Sequence, residues 1–320
     1  MARPAHDPLK YAANLIGLTA LAYFAVYFAL QIPAQLTVLL FHKSASLQNP
    51  IGVPEWVMGV INLVLSQGSL FGACGVLWCG IKEYKFKVIS LQMPKGKGIW
   101  LFMPVFLGFG LLCNVLTTLL MRVAQSTIQY IPPHEAMLPS TLSARIIYFV
   151  AMCVAPAILE EILVRGLMQG MLTRWGPWFA ILVSSTLFTL LHTNIIAMPG
   201  IFALSVVLGL CAWCTGSVLP GMVLHFANNT VAYFVLLAQQ NTDFAPMQAI
   251  MVYLIVVVTV SALIAIALII SGKVYKQLNP VPHFSDPKNR QSRFERLVTA
   301  PVFICAMVLL SARAIIPLFK

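Results

Sequence analysis

The stretch APAILEEILVRGLMQG, residues 155–170, sets two adjacent carboxylates, Glu160 and Glu161, in an otherwise apolar run, with Arg165 four positions on. Of the nine acidic residues in the chain, these are the two that fall in the interior of a hydrophobic run. Of the six histidines, His192 and His225 are the two that do so. An ionisable side chain at the centre of a membrane helix costs about 2.5–3.5 kcal/mol even on the lenient insertion scale. Such residues face protein or a wet cavity, and their default reading is functional.

Spacing divides the work between the two carboxylates. Glu161 and Arg165 lie at i and i+4 with the acid N-terminal, the favoured order for an ion pair on one helix face. Pairing is how a membrane helix tolerates charge, so this pair reads as structural. Glu160 is turned about 100° from Glu161 on a regular helix and does not share that partner easily. A carboxylate without an adjacent cation in low dielectric is suited to taking and giving a proton. SSTLFTLLHTN places Phe188 and His192 at i and i+4, and PGMVLHFANNTVAYF does the same for His225 and Asn229, with Asn228 a possible substitute. A lone histidine on an apolar helix is usually an interhelical hydrogen-bonding residue. Two of them, with a free carboxylate and an asparagine on neighbouring spans, make a site. Glutamate and histidine can deprotonate a water and deliver it to a carbonyl, while a second histidine and an asparagine donate to the developing oxyanion. No serine or cysteine stands beside a base, which disfavours a covalent route.

These residues need helices to position them, and composition supplies them. The 320 residues are 60% hydrophobic and 9% charged, against roughly a quarter charged in a soluble domain. The expectation is one all-α polytopic transmembrane domain over 1–320, with its chemistry-bearing core at about 146–238. Runs long enough to cross cover approximately 11–41, 55–81, 98–121, 146–173, 177–195, 198–216, 218–238, 247–271 and 297–317. That gives eight or nine crossings; the last run is interrupted by Arg313 and Pro317, and the first, overlong, carries Pro33. The N-terminal run is too long for a signal-peptide core and is kept as a span. With nine crossings, fourteen Lys and Arg fall on the N-terminal side and five on the other, so the N-terminus is expected to be cytoplasmic. The net charge of +11 is thereby explained by topology and anionic headgroups, and nucleic acid is excluded as a partner. The seven cysteines form no extracellular disulfide pattern, and Cys211-x-x-Cys214 reads as two small residues on a packed helix.

Glu160-Glu161-x-x-x-Arg165, Phe188-x-x-x-His192 and His225-x-x-x-Asn229, in that order, resemble the motifs of the CPBP family of intramembrane proteases, which includes type II CAAX prenyl endopeptidases and bacteriocin-processing or immunity proteins. The resemblance covers about 150–236; Val164 stands where the family often has phenylalanine. It implies that Glu160 and His192 activate water and that His225 and Asn229 form the oxyanion site. Glu161, Arg165 and Phe188 hold the helices and orient those groups. It also implies a multi-pass membrane protein, in the cytoplasmic membrane if bacterial, with a peptide or lipid-anchored protein substrate among membrane lipids. No H-E-x-x-H helix is present, and using both histidines as ligands would remove them from the water-activating scheme. A metal-free route is therefore favoured, with a divalent metal such as zinc on Glu160, His192 and His225 as the alternative. Two rival readings are a non-catalytic scaffold or immunity protein binding a peptide in the same cavity, and a proton-coupled transporter. The transporter predicts symmetric broken helices in two halves, which the sequence lacks. Nothing in the sequence distinguishes a prenylated C-terminal motif from a leader peptide.

Overall fold

In lipid no water satisfies exposed backbone groups, so a chain of this composition must close its hydrogen bonds within helices. The computed structural model, which describes residues 7–41, 52–94, 99–128, 138–192, 194–240, 245–271 and 292–315, is built that way. Its helices are α1 (Pro8–Phe41), α2 (Glu55–Tyr84), α3 (Ile99–Ile128), α4 (Leu142–Trp175), α5 (Pro177–Leu191), α6 (Met198–Thr215), α7 (Leu219–Gln240), α8 (Ala245–Ile270), the short α9 (Arg293–Val298) and α10 (Pro301–Ile315). Apart from α9, each answers to one of the nine predicted runs. Six are long and apolar enough to cross a membrane: α1, α2, α3, α4, α6 and α8. The helices α5 and α10 have only 15 residues each, and α7 carries the polar residues of the site. Pro33 does not end α1, which continues to Phe41.

Contacts between chain segments sort the two ends of the bundle. At one end Tyr11 stacks on Tyr84 at 3.6 Å, Phe86 lies 6.1 Å from Trp175, and Arg296 Nη1 pairs with Asp7 Oδ1 at 3.0 Å. The start of α1, the ends of α2 and α4, and α9 therefore share one face, together with Lys10, Lys82, Lys85, Lys87, Arg174 and Arg293. At the other end the Glu55 carboxylate accepts from the backbone N–H and hydroxyl groups of Ser140 and Thr141 at 2.9–3.2 Å. The remaining loop residues of the charge count, Arg3, Lys43, Lys95, Lys97, Lys273, Lys276, Lys288, Arg290 and Lys320, lie outside the described residues.

The central element is α4, whose residues 163–173 are all buried. A helix buried all round belongs to the middle of a bundle, and Leu163, Leu167, Met171 and Trp175 join one core with Leu9 and Ile16 of α1, Leu70 and Leu77 of α2, and Phe188 of α5. It is not the regular helix that the spacing argument assumes. Val150–Val154 and Ile162–Gln169 follow the i→i+5 π pattern on either side of an α stretch, Ala155–Glu161. Such segments are rare and concentrate at functional sites. The sequence supplies one cause: Pro156 has no N–H to give the carbonyl four residues back, that of Met152.

Between α2 and α3 the chain does not simply leave the bundle. Lys85 caps α2 in the left-handed conformation, φ 54°, and the following residues run extended along α4. Ile89 N–H donates to the Gly166 carbonyl at 3.0 Å, and Val218 N–H donates to the Ser90 carbonyl at 2.9 Å. Gly170 permits this approach, since a Cβ there would lie 2.7 Å from Ile89 N and 2.8 Å from Val88 Cα. Irregular backbone inside a membrane protein is tolerated where protein or a wet cavity covers it. Here Gly166 and Gly170 provide the cover.

Candidate functional site

The two neighbouring carboxylates are both used, and by the same histidine. His225 Nδ1 lies 3.0 Å from Glu161 Oε1, while His225 Nε2 lies 3.9 Å from Glu160 Oε2. Because a carboxylate only accepts, Nδ1 carries a proton and Nε2 is the atom turned towards Glu160. The rotation between consecutive helix positions separates the surroundings of the two acids. Glu161 is fully buried, whereas the Glu160 side chain keeps 17% of its surface exposed.

Glu161 is held from three sides. Arg165 Nη1 pairs with Oε1 at 2.8 Å, His225 bonds the same oxygen, and Gly221, one turn before His225, leaves room for Oε2. A Cβ on Gly221 would lie 2.9 Å from that oxygen. Arg165, itself fully buried, donates through Nη2 to the Ser205 hydroxyl at 2.9 Å and its carbonyl at 3.2 Å, and its guanidinium stacks 4.7 Å over the Phe188 ring. One step further, Gln169 donates to the Gly209 carbonyl at 2.8 Å. Glu161, Arg165 and Gln169 thus form a buried polar stripe at spacing four, and Ser205 and Gly209 meet it at the same spacing on α6. The wider π turn keeps residues four apart in line against α6.

His192 is not inside a helix. It is the residue that ends α5, with extended backbone, and its Nδ1 lies 2.9 Å from the Phe188 carbonyl. That carbonyl can only accept, so Nδ1 is the donor of this bond and Nε2 is the nitrogen it leaves uncommitted. The Phe188 ring stands 4.8 Å from the His192 ring and 6.1 Å from that of His225, so the two imidazoles flank one aromatic wall. The ion-pair contact of Glu160 is to His225 rather than to His192.

Asn229 lies one turn beyond His225 on α7. Its Nδ2 donates to the Met152 carbonyl at 3.1 Å, the group that Pro156 leaves without an α-helical donor. One amide N–H of Asn229 is therefore committed and the second remains to be offered. Asn228 turns to α3, where a Cβ on Gly110 would come 2.5 Å from its Oδ1.

The seven candidates therefore form one connected patch across α4, α5 and α7. Glu160, Glu161, Arg165, Phe188, His192 and His225 are linked through side chains, and Asn229 adjoins them on the His225 face. The spacing argument missed Gln169, Ser205 and Pro156, of which Gln169 was signalled by its place four residues after Arg165. Glu160, His192 and His225 do not fit a metal ion as a trio: among the described residues no three His, Cys, Asp or Glu side chains are arranged to hold one.

The architecture and these motifs point to one protein class. Residues 142–231 match the family model of the Rce1-like proteins, described as type II CAAX prenyl endopeptidase Rce1-like. The matched region runs from the start of α4 to the middle of α7 and contains every candidate site residue. It is consistent with a CPBP-family protease and supports a hydrolase embedded in a membrane by its apolar helices. Neither a comparison with curated proteins nor one with solved structures gives a match.

Proposed function

We propose that this protein is an intramembrane endopeptidase that hydrolyses a peptide bond by direct attack of water, with Glu160 as base. What carries the reading is the position of His225, whose Nδ1 is held by the buried Glu161 while its Nε2 faces the partly exposed Glu160.

In this scheme a water beside Glu160 gives its proton to the carboxylate as its oxygen attacks the scissile carbonyl carbon. His192 Nε2 accepts from the same water and orients it. The oxyanion receives hydrogen bonds from His225 Nε2–H and from the uncommitted N–H of Asn229. Glu160 then returns the proton to the leaving nitrogen as the C–N bond breaks, which regenerates the carboxylate. Glu161 keeps His225 in the donating orientation, and Arg165 balances its charge. The substrate class is a membrane-associated peptide or a lipid-anchored protein cleaved near its C-terminus or leader.

The experiment compares peptide termini in membranes carrying the wild type with those carrying Glu160→Gln at equal abundance. A set of new termini confined to the wild type is expected. Identical termini in both membranes would sink the enzyme reading and leave a peptide-binding role for the same residues.

A further inference from the structure

A cavity lies outside the site, between α2 and α4. Its volume is about 440 Å³, within the usual range for ligand pockets. Phe71, Gly75 and Trp78 of α2 form one wall, Ile162 and Leu167 of α4 another, and the Val88–Leu91 segment closes it. The lining is almost wholly apolar. Phe71, Gly75 and Trp78 are exposed, so the cavity opens to the lipid phase rather than to the bundle interior. The space in front of Gly75 is open, since a Cβ there would meet nothing within 4 Å.

What distinguishes this cavity from ordinary lipid-facing surface is its charged rim. Lys82 lies one turn beyond Trp78, with its ammonium 5.0 Å from the Trp78 ring centre. The left-handed turn at Lys85 then carries the chain back over the same end, bringing exposed Lys85 and Lys87 with it. Glu83 is the acidic residue in this turn, so the rim is net positive. A tryptophan and lysines at a helix end mark the headgroup level. Basic pockets between spans on such a face take anionic headgroups.

We propose that this cavity is a binding site for an anionic phospholipid. One acyl chain enters between α2 and α4 and lies along Gly75, and the phosphate rests on Lys82 and Lys85. The bound chain also backs the Val88–Leu91 segment, whose Ile89 N–H bonds Gly166 on the helix that carries Glu160 and Glu161. The proposal stands apart from the peptidase reading, and its test reads binding, not cleavage.

The full chain, purified and exchanged against vesicles of phosphatidylcholine or of an equal mixture with phosphatidylglycerol, is examined by native mass spectrometry. Wild type is expected to retain one phosphatidylglycerol in preference to phosphatidylcholine. Gly75→Phe, which fills the cavity, should lose that lipid. Lys82→Gln and Lys85→Gln should keep a bound lipid but lower the preference for phosphatidylglycerol by about fivefold each. The lysine variants alter only exposed side chains and decide the matter should Gly75→Phe misfold. Retention blind to the headgroup, or unchanged in a folded Gly75→Phe, overturns the proposal. So does displacement of the lipid by an isoprenoid alcohol at equal concentration, which would assign the cavity to a prenylated substrate.

Discussion

His225 Nδ1 lies 3.0 Å from Glu161 Oε1, joining residues 64 positions apart on two helices. The contact gives the second carboxylate of the pair a duty that its ion pair with Arg165 does not reveal. Glu161 fixes the tautomer and the direction of the imidazole whose other nitrogen faces Glu160. Gly221→Ala tests this positioning, because its methyl group would sit 2.9 Å from Glu161 Oε2 and press the carboxylate away. Turnover should fall at least tenfold, on the scale of a catalytic group displaced by a fraction of an ångström. Membrane abundance should change little, and full activity with normal kinetics would show that Glu161 does not position His225.

Asn229 has two possible contributions, and they differ in size. As an oxyanion donor its loss in Asn229→Ala raises the barrier by about 2.7–4 kcal/mol, or 10²–10³ in turnover. As a tie to the Met152 carbonyl its loss costs about 1 kcal/mol of stability, the usual net worth of one neutral hydrogen bond. We expect both, with turnover dominating and the Michaelis constant nearly unchanged. Asn228→Ala, whose side chain is turned to Gly110, should retain turnover. The reverse pattern would move the oxyanion role to Asn228.

The two glycines of α4 make a paired test of the extended segment. In Gly170→Ala the new methyl meets backbone, Ile89 N at 2.7 Å and Val88 Cα at 2.8 Å, and backbone cannot rotate away. Overpacking of that kind costs about 1–3 kcal/mol. In Gly166→Ala the nearest atoms are 3.6 Å away, an ordinary contact. Thermal denaturation in detergent should show a lowered midpoint for Gly170→Ala and an unchanged or raised one for Gly166→Ala. Equal midpoints would mean that the Val88–Ser90 segment does not hold its place against α4.

Much of this was legible in the sequence, for a physical reason. The bilayer fixes how long an apolar run must be, so Glu55 and Tyr84, or Met198 and Thr215, end their helices within a few residues of the predicted runs. The motif residues were legible because a charge such as Glu161 inside such a run demands a partner. The π stretches were not, since no side-chain pattern announces an i→i+5 turn; only Pro156 hinted that Met152 would need another donor. The approach of Ile89 to Gly166 was hidden too, because it is a contact between two backbones. His192 was read as helical from the Phe188 spacing, and the spacing brought the right rings together although the helix stops one residue earlier. The position of His225 between Glu160 and Glu161 depends on how α7 lies across α4, which no local pattern encodes.

Contacts at the two ends predict membrane sidedness. Asp7 with Arg296, Tyr11 with Tyr84, and Phe86 with Trp175 place four chain segments on one face, while Glu55 with Ser140 marks the other. The positive-inside bias assigns the first face to the cytoplasm. Single cysteines at Glu83 and Arg293, in a background without the native cysteines, should react with an impermeant reagent only in inverted vesicles. A cysteine at Ser140 should react in intact cells. Labelling at positions 83 and 293 from opposite sides would contradict the fold itself, and labelling of both from outside would reverse its orientation.

The adjacent glutamates give the sharpest separation of roles. Glu160→Gln keeps size and hydrogen-bonding atoms and removes basicity, so cleavage should vanish while the protein accumulates normally. Glu161→Gln can still accept from His225 Nδ1–H, yet it takes from the fully buried Arg165 the carboxylate it pairs with at 2.8 Å, leaving the Ser205 contacts and the Phe188 ring beside it. Breaking a buried pair from one side costs about 3–5 kcal/mol, because the remaining charge is uncompensated. Glu161→Gln should therefore lose abundance and thermal stability, and part of its activity with them. Adding Arg165→Gln restores neutrality and should recover most of the stability, giving a coupling energy that a double-mutant cycle reads directly. Activity should not return in step, since a neutral amide accepts from His225 Nδ1–H more weakly than the Glu161 carboxylate does. The assignment is wrong if Glu160→Gln is the unstable variant while Glu161→Gln is stable and inactive.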